Sequence, residues 1–205
     1  MAGTTTNYGW TYPTSTDLVK DGATAIQTAI QGADTSLFNI TTGKNVGLVP
    51  LNTTTFTAQS SVSINSVFSS TYDNYLVVYN ITASSATVIR QRLRVAGADN
   101  TGSNYLRGGM YVGVFANSVF SSTNNVTEAY FTLGSTSATV GYGGVLNFIA
   151  PFQTQYTKIT SHSGGADMGI GTCVFNGTTS FDGFTLLPDT GTITGTIRVY
   201  GYRNS

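Results

Sequence analysis

At 205 residues the chain can bury a real core in one ordinary domain and still carry an appendage. Nine basic residues balance nine acidic ones and charged residues amount to only 9%, which argues against a field that gathers nucleic acid or an anionic membrane. Solubility rests instead on Thr, Ser, Asn and Gly interleaved with apolar residues, a texture that argues against disorder.

Residues 1–50 read as a leader unlike the rest. Tyr8, Trp10, Tyr12 and Pro13 form an extended aromatic strip, with Pro13 enforcing non-helical geometry ahead of a helix. Such a strip needs an apolar groove to cover it, either on a partner or on the chain's own domain. From about residue 17 to 37 the chain reads as a helix, with Asp17 or Asp21 able to cap it. Val19, Ala23, Ile26, Ile30, Ala33 and Leu37 recur at alternating spacings of four and three, which sets them on one seam. Gly22 and Gly32 interrupt a segment already too short to stand alone in water, so packing must hold it. Sister chains, a docking partner or the chain's own domain could supply that packing.

Residues 51–205 alternate strand and turn. Tyr75 to Ile81 is apolar on both faces, whereas Val88 to Val95 sets Arg90, Arg92 and Arg94 against Ile89, Leu93 and Val95. Further strands are expected at 109–115, 129–133, 145–150, 156–161, 170–175, 181–187 and 191–202. In the last, Ile193, Ile197 and Val199 share one face while Thr194, Thr196, Arg198, Tyr200 and Tyr202 share the other. Roughly nine short strands with Gly, Asn and Ser turns predict a mainly β fold, an antiparallel β-sandwich of jelly-roll type. The string NSVFSST, at Asn65 to Thr71 and again at Asn117 to Thr123, is too short for a structural repeat.

Chemistry is sparse. His162 is the sole histidine, and Ser161, Ser163 and Asp167 beside it read as neighbours on a Ser/Gly loop rather than a positioned triad. Neither zinc nor calcium spacing occurs, so no catalytic residue, metal or cofactor is expected. Gly169-Ile170-Gly171 reads as a turn into a strand, because no lysine and helix follow it. Cys173, alone and flanked by Val174 and Phe175, is expected to be a buried thiol. The N-terminus has no basic region leading into an apolar run, and no segment approaches the roughly twenty apolar residues of a membrane span. Arg90, Arg92 and Arg94 could meet a carboxylate, a sugar acid or a neighbouring subunit. Tyr200 and Tyr202 could offer a stacking platform for a glycan; a solvated strand face is the plainer reading of both groups.

The leader YGWTYPTSTDLVKDGATAIQ, with Thr55 to Ser84, Arg92 to Tyr105 and Gly191 to Asn204, resembles phage virion structural proteins, chiefly tail-fibre and fibre-like ones. The resemblance implies a non-enzymatic subunit in the virion, attached by its N-terminus and projecting a C-terminal, homotrimeric β domain. Its partners would be its own copies and tail, baseplate or capsid proteins, without nucleic acid or a membrane span. It would be assembled in the bacterial cytoplasm without a signal peptide. Two alternatives stand beside it: a capsid decoration or cement protein bridging capsid subunits, and a module that recognises a host surface glycan.

Overall fold

The structure, a computed structural model, describes residues 3–6, 9–14, 19–41, 47–113, 121–165 and 167–204. The chain divides into two compact units, Met1–Gly47 and Leu48–Ser205.

In the first unit, β1 (Gly3–Thr4) pairs antiparallel with β2 (Thr11–Tyr12), and α1 follows over Val19–Thr41. Thr5 closes the hairpin: its N–H donates to the Trp10 carbonyl and its Oγ1 accepts the Trp10 N–H, both at 2.9 Å. Within the aromatic strip, Tyr12 therefore lies in a strand of a small hairpin and Trp10 is hydrogen-bonded across its turn. The helix runs four residues beyond the expected Leu37, which adds Ile40 to the seam at the next spacing of three.

The second unit comprises β3 (Leu48–Gln59), β4 (Val62–Ile64), β5 (Asn74–Ala83), β6 (Thr87–Val95), β7 (Ala98–Asp99), β8 (Tyr105–Gly113) and β9 (Ser121–Glu128). These are followed by β10 (Phe131–Thr136), β11 (Tyr142–Ile149), β12 (Lys158–Gly164), β13 (Asp167–Phe175), β14 (Gly183–Pro188) and β15 (Ile193–Tyr202). Since β3 starts at Leu48, the last residues assigned to the leader already belong to the sheet. An eight-stranded antiparallel sheet runs β3-β15-β5-β11-β12-β13-β8-β9, and a five-stranded one runs β10-β6-β14-β4 with β7 beside β6. Side chains from both sheets meet in one core, so the domain is an antiparallel β-sandwich. The order β4-β14-β6-β10, set against β5, β13, β8 and β9 in the other sheet, is that of a jelly roll. The β11–β12 hairpin is inserted between β5 and β13, and β15 and β3 widen the large sheet. Pro50 is tolerated because β3 is an edge strand, where a missing N–H breaks no inner ladder.

The core is aromatic. Phe68, between β4 and β5, has its ring centroid 4.7 Å from Tyr75, 5.1 Å from Phe148 and 5.9 Å from Phe184, bridging both sheets. The first NSVFSST thus supplies a core plug, its Val67 and Phe68 N–H groups donating to the Asp182 carbonyl. Residues 117–120 of the second copy lie outside the described residues, and Ser121–Thr123 open β9. Two expected faces need correction. Tyr75, Val77, Tyr79 and Ile81 are buried, but opposite them Leu76 and Val78 are only half-buried and Asn80 is exposed, so β5 has one core face. In β6 the inner face is Ile89, Gln91 and Leu93; Val95 is exposed because the strand ends there in a tight turn.

Candidate functional site

On α1 two stripes run side by side. Gly22, Ala25, Ala29, Gly32 and Ser36, again at spacings of three and four, are half-buried or buried. The Trp10 indole lies on this small-residue stripe: a Cβ added at Gly32 would sit 2.9 Å from its Cδ1. The apolar seam stays in the open, with Ile26 at 51%, Ile30 at 63%, Leu37 at 61% and Ile40 at 55% exposure. Ala23 is exposed and Ala33 half-buried, while Tyr8 and the Val19 side chain lie outside the described residues. The unit therefore covers part of its tryptophan itself, with Trp10 half-buried against α1. Pro13 is half-buried, and Tyr12 is exposed with its ring 2.7 Å from the point a Cβ on Gly3 would take. What remains for a partner is the seam.

The five candidate contact residues of the sandwich fall on opposite sides of it. Arg90, Arg92 and Arg94 stand on the outer face of the small sheet, and each meets an acceptor of its own chain. Arg90 pairs with Asp189 at 2.5 Å and stacks 3.8 Å above the Tyr130 ring. The Arg92 Nε donates to the Ala129 carbonyl at 3.2 Å. Arg94 pairs with Asp99 and donates to Thr185 Oγ1 and Asn65 Oδ1, both at 2.8 Å. Thr185 Oγ1 in turn donates to Asp99 Oδ1 at 2.6 Å. These arginines stitch the small sheet together; Arg90 and Arg94 are paired with carboxylates of their own chain, while Arg92 meets a carbonyl. Tyr200 and Tyr202 point out from the large sheet. Tyr202 reaches over β5 to donate to Asn147 Oδ1 at 3.0 Å, so it lies along the sheet rather than standing off it.

His162 lies inside β12, not on a loop, and Gly169-Ile170-Gly171 lies inside β13, not in a turn. Strand alternation turns His162 outward, while Ser161 faces the core and Ser163 accepts a hydrogen bond from the Tyr142 hydroxyl at 2.7 Å. The serines and the histidine therefore cannot form a relay. The Cys173 thiol is buried in the core, and desolvation pushes its pKa up to about 12. That makes it a poor nucleophile at neutral pH.

Among the described residues, the outer face of the large sheet carries an apolar and a polar depression. A cavity of about 480 Å³ opens among Gly108, Met110, Thr160, His162, Ile170 and Thr172. Its apolar rim is exposed: Met110 at 44% and Ile170 at 53%, with Met168 next along β13 at 59%. The other, of about 320 Å³, is polar and sits on β5 and β15 among Asn80, Thr82, Thr194, Thr196 and Arg198. Sequence reading set Thr194, Thr196 and Arg198 on one strand face. It had no means of finding that β5 brings Asn80 and Thr82 alongside, since pairing between strands more than a hundred residues apart leaves no local signal.

No family model matches this sequence, and no curated protein does. Among solved structures, the crystal structure of the galectin LEC-6 of Caenorhabditis elegans is similar at 9% sequence identity and a TM-score of 0.32. The alignment covers 72% of this chain and 95% of that one. A superposition this loose says nothing about what the present chain binds.

Proposed function

We propose that this chain is a non-enzymatic structural subunit of a phage virion, a short fibre or spike-like element. Residues 1–50 root it in the particle, and the sandwich projects as one third of a homotrimer. The observation that carries this reading is the bare seam of α1. The helix already buries one face against its own hairpin and carries a second apolar stripe, in which Ile26, Ile30, Leu37 and Ile40 are all more than half exposed. Burying the exposed part of each side chain contributes roughly 1 kcal/mol, so three helices meeting along the seam gain several kcal/mol per chain. Isoleucine at successive seam positions favours a three-stranded coil over a pair. The exposed Met110, Met168 and Ile170 on the large sheet give a sister sandwich an apolar patch to cover. The resemblance of the leader and of both ends of the β domain to phage fibre proteins supports the virion setting.

The test is the mass of the full chain by sedimentation and native mass spectrometry, followed by its location in reconstructed particles. A trimer that Ile26→Asp and Ile30→Asp reduce to monomers, found at a tail or vertex, supports the proposal. A monomeric wild type overturns it. Many copies spread over the head lattice would make the protein a capsid decoration protein instead, with the same seam acting as a clamp on capsid subunits.

A further inference from the structure

The polar depression on the large sheet goes beyond the assembly role; it lies on the opposite sheet from the arginine row and, along β15, next to Tyr200 without including the tyrosine pair. It is built by register. Thr196 pairs with Asn80 on one side and Thr55 on the other, Thr194 pairs with Thr82, and Arg198 sits between Val78 and Thr53. All these side chains leave the sheet on its outer face, because alternate residues of β15 and β5 point the same way. Arg90, Arg92, Arg94 and Arg107 each meet an acid or a carbonyl. The exposed Arg198 has no such acceptor among the described residues, and no carboxylate lines the depression.

The surroundings of Arg198 are hydroxyls and one amide. Thr196 Oγ1 already shares a hydrogen bond with Thr55 Oγ1 at 3.2 Å, and Thr194 Oγ1 accepts the Ala58 N–H at 2.9 Å. Both hydroxyls are thus held in place and keep capacity for one more partner. The Asn80 amide borders a shelf without side chains: Cβ atoms added at Gly141 and Gly143 would lie 3.9 and 3.8 Å from its Oδ1, and a Cβ at Gly164, next along the same row, would meet nothing within 4 Å. A cluster of oriented neutral hydrogen-bonding groups and one fork-shaped cation line about 320 Å³, and the open glycine shelf adjoins them at Asn80.

We infer that this depression binds a sugar acid, a saccharide unit carrying a carboxylate such as a uronate or sialate. The carboxylate would take the planar guanidinium of Arg198 in a two-point contact, and ring hydroxyls would exchange hydrogen bonds with Asn80, Thr82, Thr194 and Thr196. A peptide carboxylate could use Arg198 with half-buried Val78 as its apolar contact, but it would leave the hydroxyls of Thr82, Thr194 and Thr196 and the Asn80 amide without ring hydroxyls to meet. The chain carries no net charge, so attraction is local and binding of a single unit is expected to be weak, on the order of millimolar.

The experiment titrates the isotope-labelled full-length protein with digalacturonate and with sialyllactose, and with lactose as the neutral control, following amide shifts by NMR. Saturable shifts at Asn80, Thr82 and residues 194–198 with at least one acidic sugar, and not with lactose, are expected. Response to one sugar or to both tells which acid is preferred. Arg198→Ala should weaken binding by about tenfold or more, and Arg198→Lys by less, since it keeps the charge and loses the fork. Arg198 is exposed, so neither change should move the melting temperature. No shifts with either acidic sugar at about ten times the expected millimolar constant, shifts centred on Arg90 to Arg94 or on Tyr200 and Tyr202, or an unchanged constant in Arg198→Ala would each overturn the inference. None of these results bears on whether the chain is trimeric.

Discussion

The Tyr105 hydroxyl accepts the backbone N–H of Leu93 at 2.9 Å from across the sandwich and donates to the Asn100 carbonyl at 3.1 Å. Tyr105 comes from the large sheet and Leu93 from the small one, so a single phenol pins the two layers beside the β6–β7 hairpin. Its ring packs edge-on against Phe175 at 5.2 Å, and burial raises its pKa well above the ordinary phenol value. Tyr105→Phe keeps the ring and strands a buried N–H. Denaturant melts should show a loss of about 1–3 kcal/mol with little change in slope. A variant as stable as the wild type would mean that the hydroxyl is not needed to join the sheets.

The buried thiol gives the alkaline limit of the fold. Cys173 keeps its proton in the native state up to a pKa of about 12, against an ordinary value of 9.0, because burial disfavours the thiolate. Between those values the folded protein holds more protons than the unfolded chain. The stabilisation is therefore complete below pH 9 and is lost as pH climbs towards 12, with Tyr105 adding to the loss above pH 10. Unfolding free energies from denaturant melts at pH 8 and pH 10.5 should differ by about 2 kcal/mol, and Cys173→Ala should flatten the first part of that decline. In the same protein an aromatic disulfide reagent should leave the thiol untouched at pH 8 until denaturant is added. Rapid labelling of the native state would contradict the burial.

A third expectation concerns the turn that joins β6 to β7. Val95 pairs with Ala98, leaving Ala96 and Gly97 as a two-residue loop with φ of 51° and 80°. Both positive values match a type I′ hairpin turn, which favours Asn or Gly at the first position and penalises a Cβ there. The Ala96 N–H is held by Asp182 Oδ2 at 2.9 Å, and any residue other than proline keeps that bond. Ala96→Asn should raise stability by about 0.5–1 kcal/mol, and Ala96→Val should lower it. Paired thermal melts read both signs.

Period-2 alternation made the sandwich legible in the sequence. Strands such as β6 and β15 show it strongly, because each has one core face and one wet face. What alternation cannot carry is partnership. Thr196 meets Asn80, and Arg94 meets Asp99 and Thr185, through pairings fixed by the whole topology. The arginine row therefore reads as a free charged face until its acceptors are in place. β9 went unread because its residues, SSTNNVTE, have the composition of a loop and become a strand by pairing with β8. On the leader, spacing revealed the apolar seam. Spacing also hid the small-residue stripe, since Gly22 and Gly32 look like interruptions until Trp10 is seen lying on one of them.

That contact gives the leader its own probe, because Trp10 is the sole tryptophan of the chain. A side chain at Gly32 must enter the space of the indole, whose Cδ1 and Nε1 would be 2.9 and 3.1 Å from the new Cβ. Alanine would trade this clash for a gain in helix propensity of up to about 1 kcal/mol, so its net sign is close to neutral. Leucine cannot be accommodated without lifting the ring. Gly32→Leu should shift tryptophan emission to longer wavelength as the indole meets water, while the denaturation midpoint of the sandwich stays where it was. The seam is a separate stripe, so Ile30→Asp should leave the emission of the dissociated chain at the wild-type wavelength. A red shift from Ile30→Asp would show that the hairpin covers the seam, and the two stripes of α1 would then be one surface.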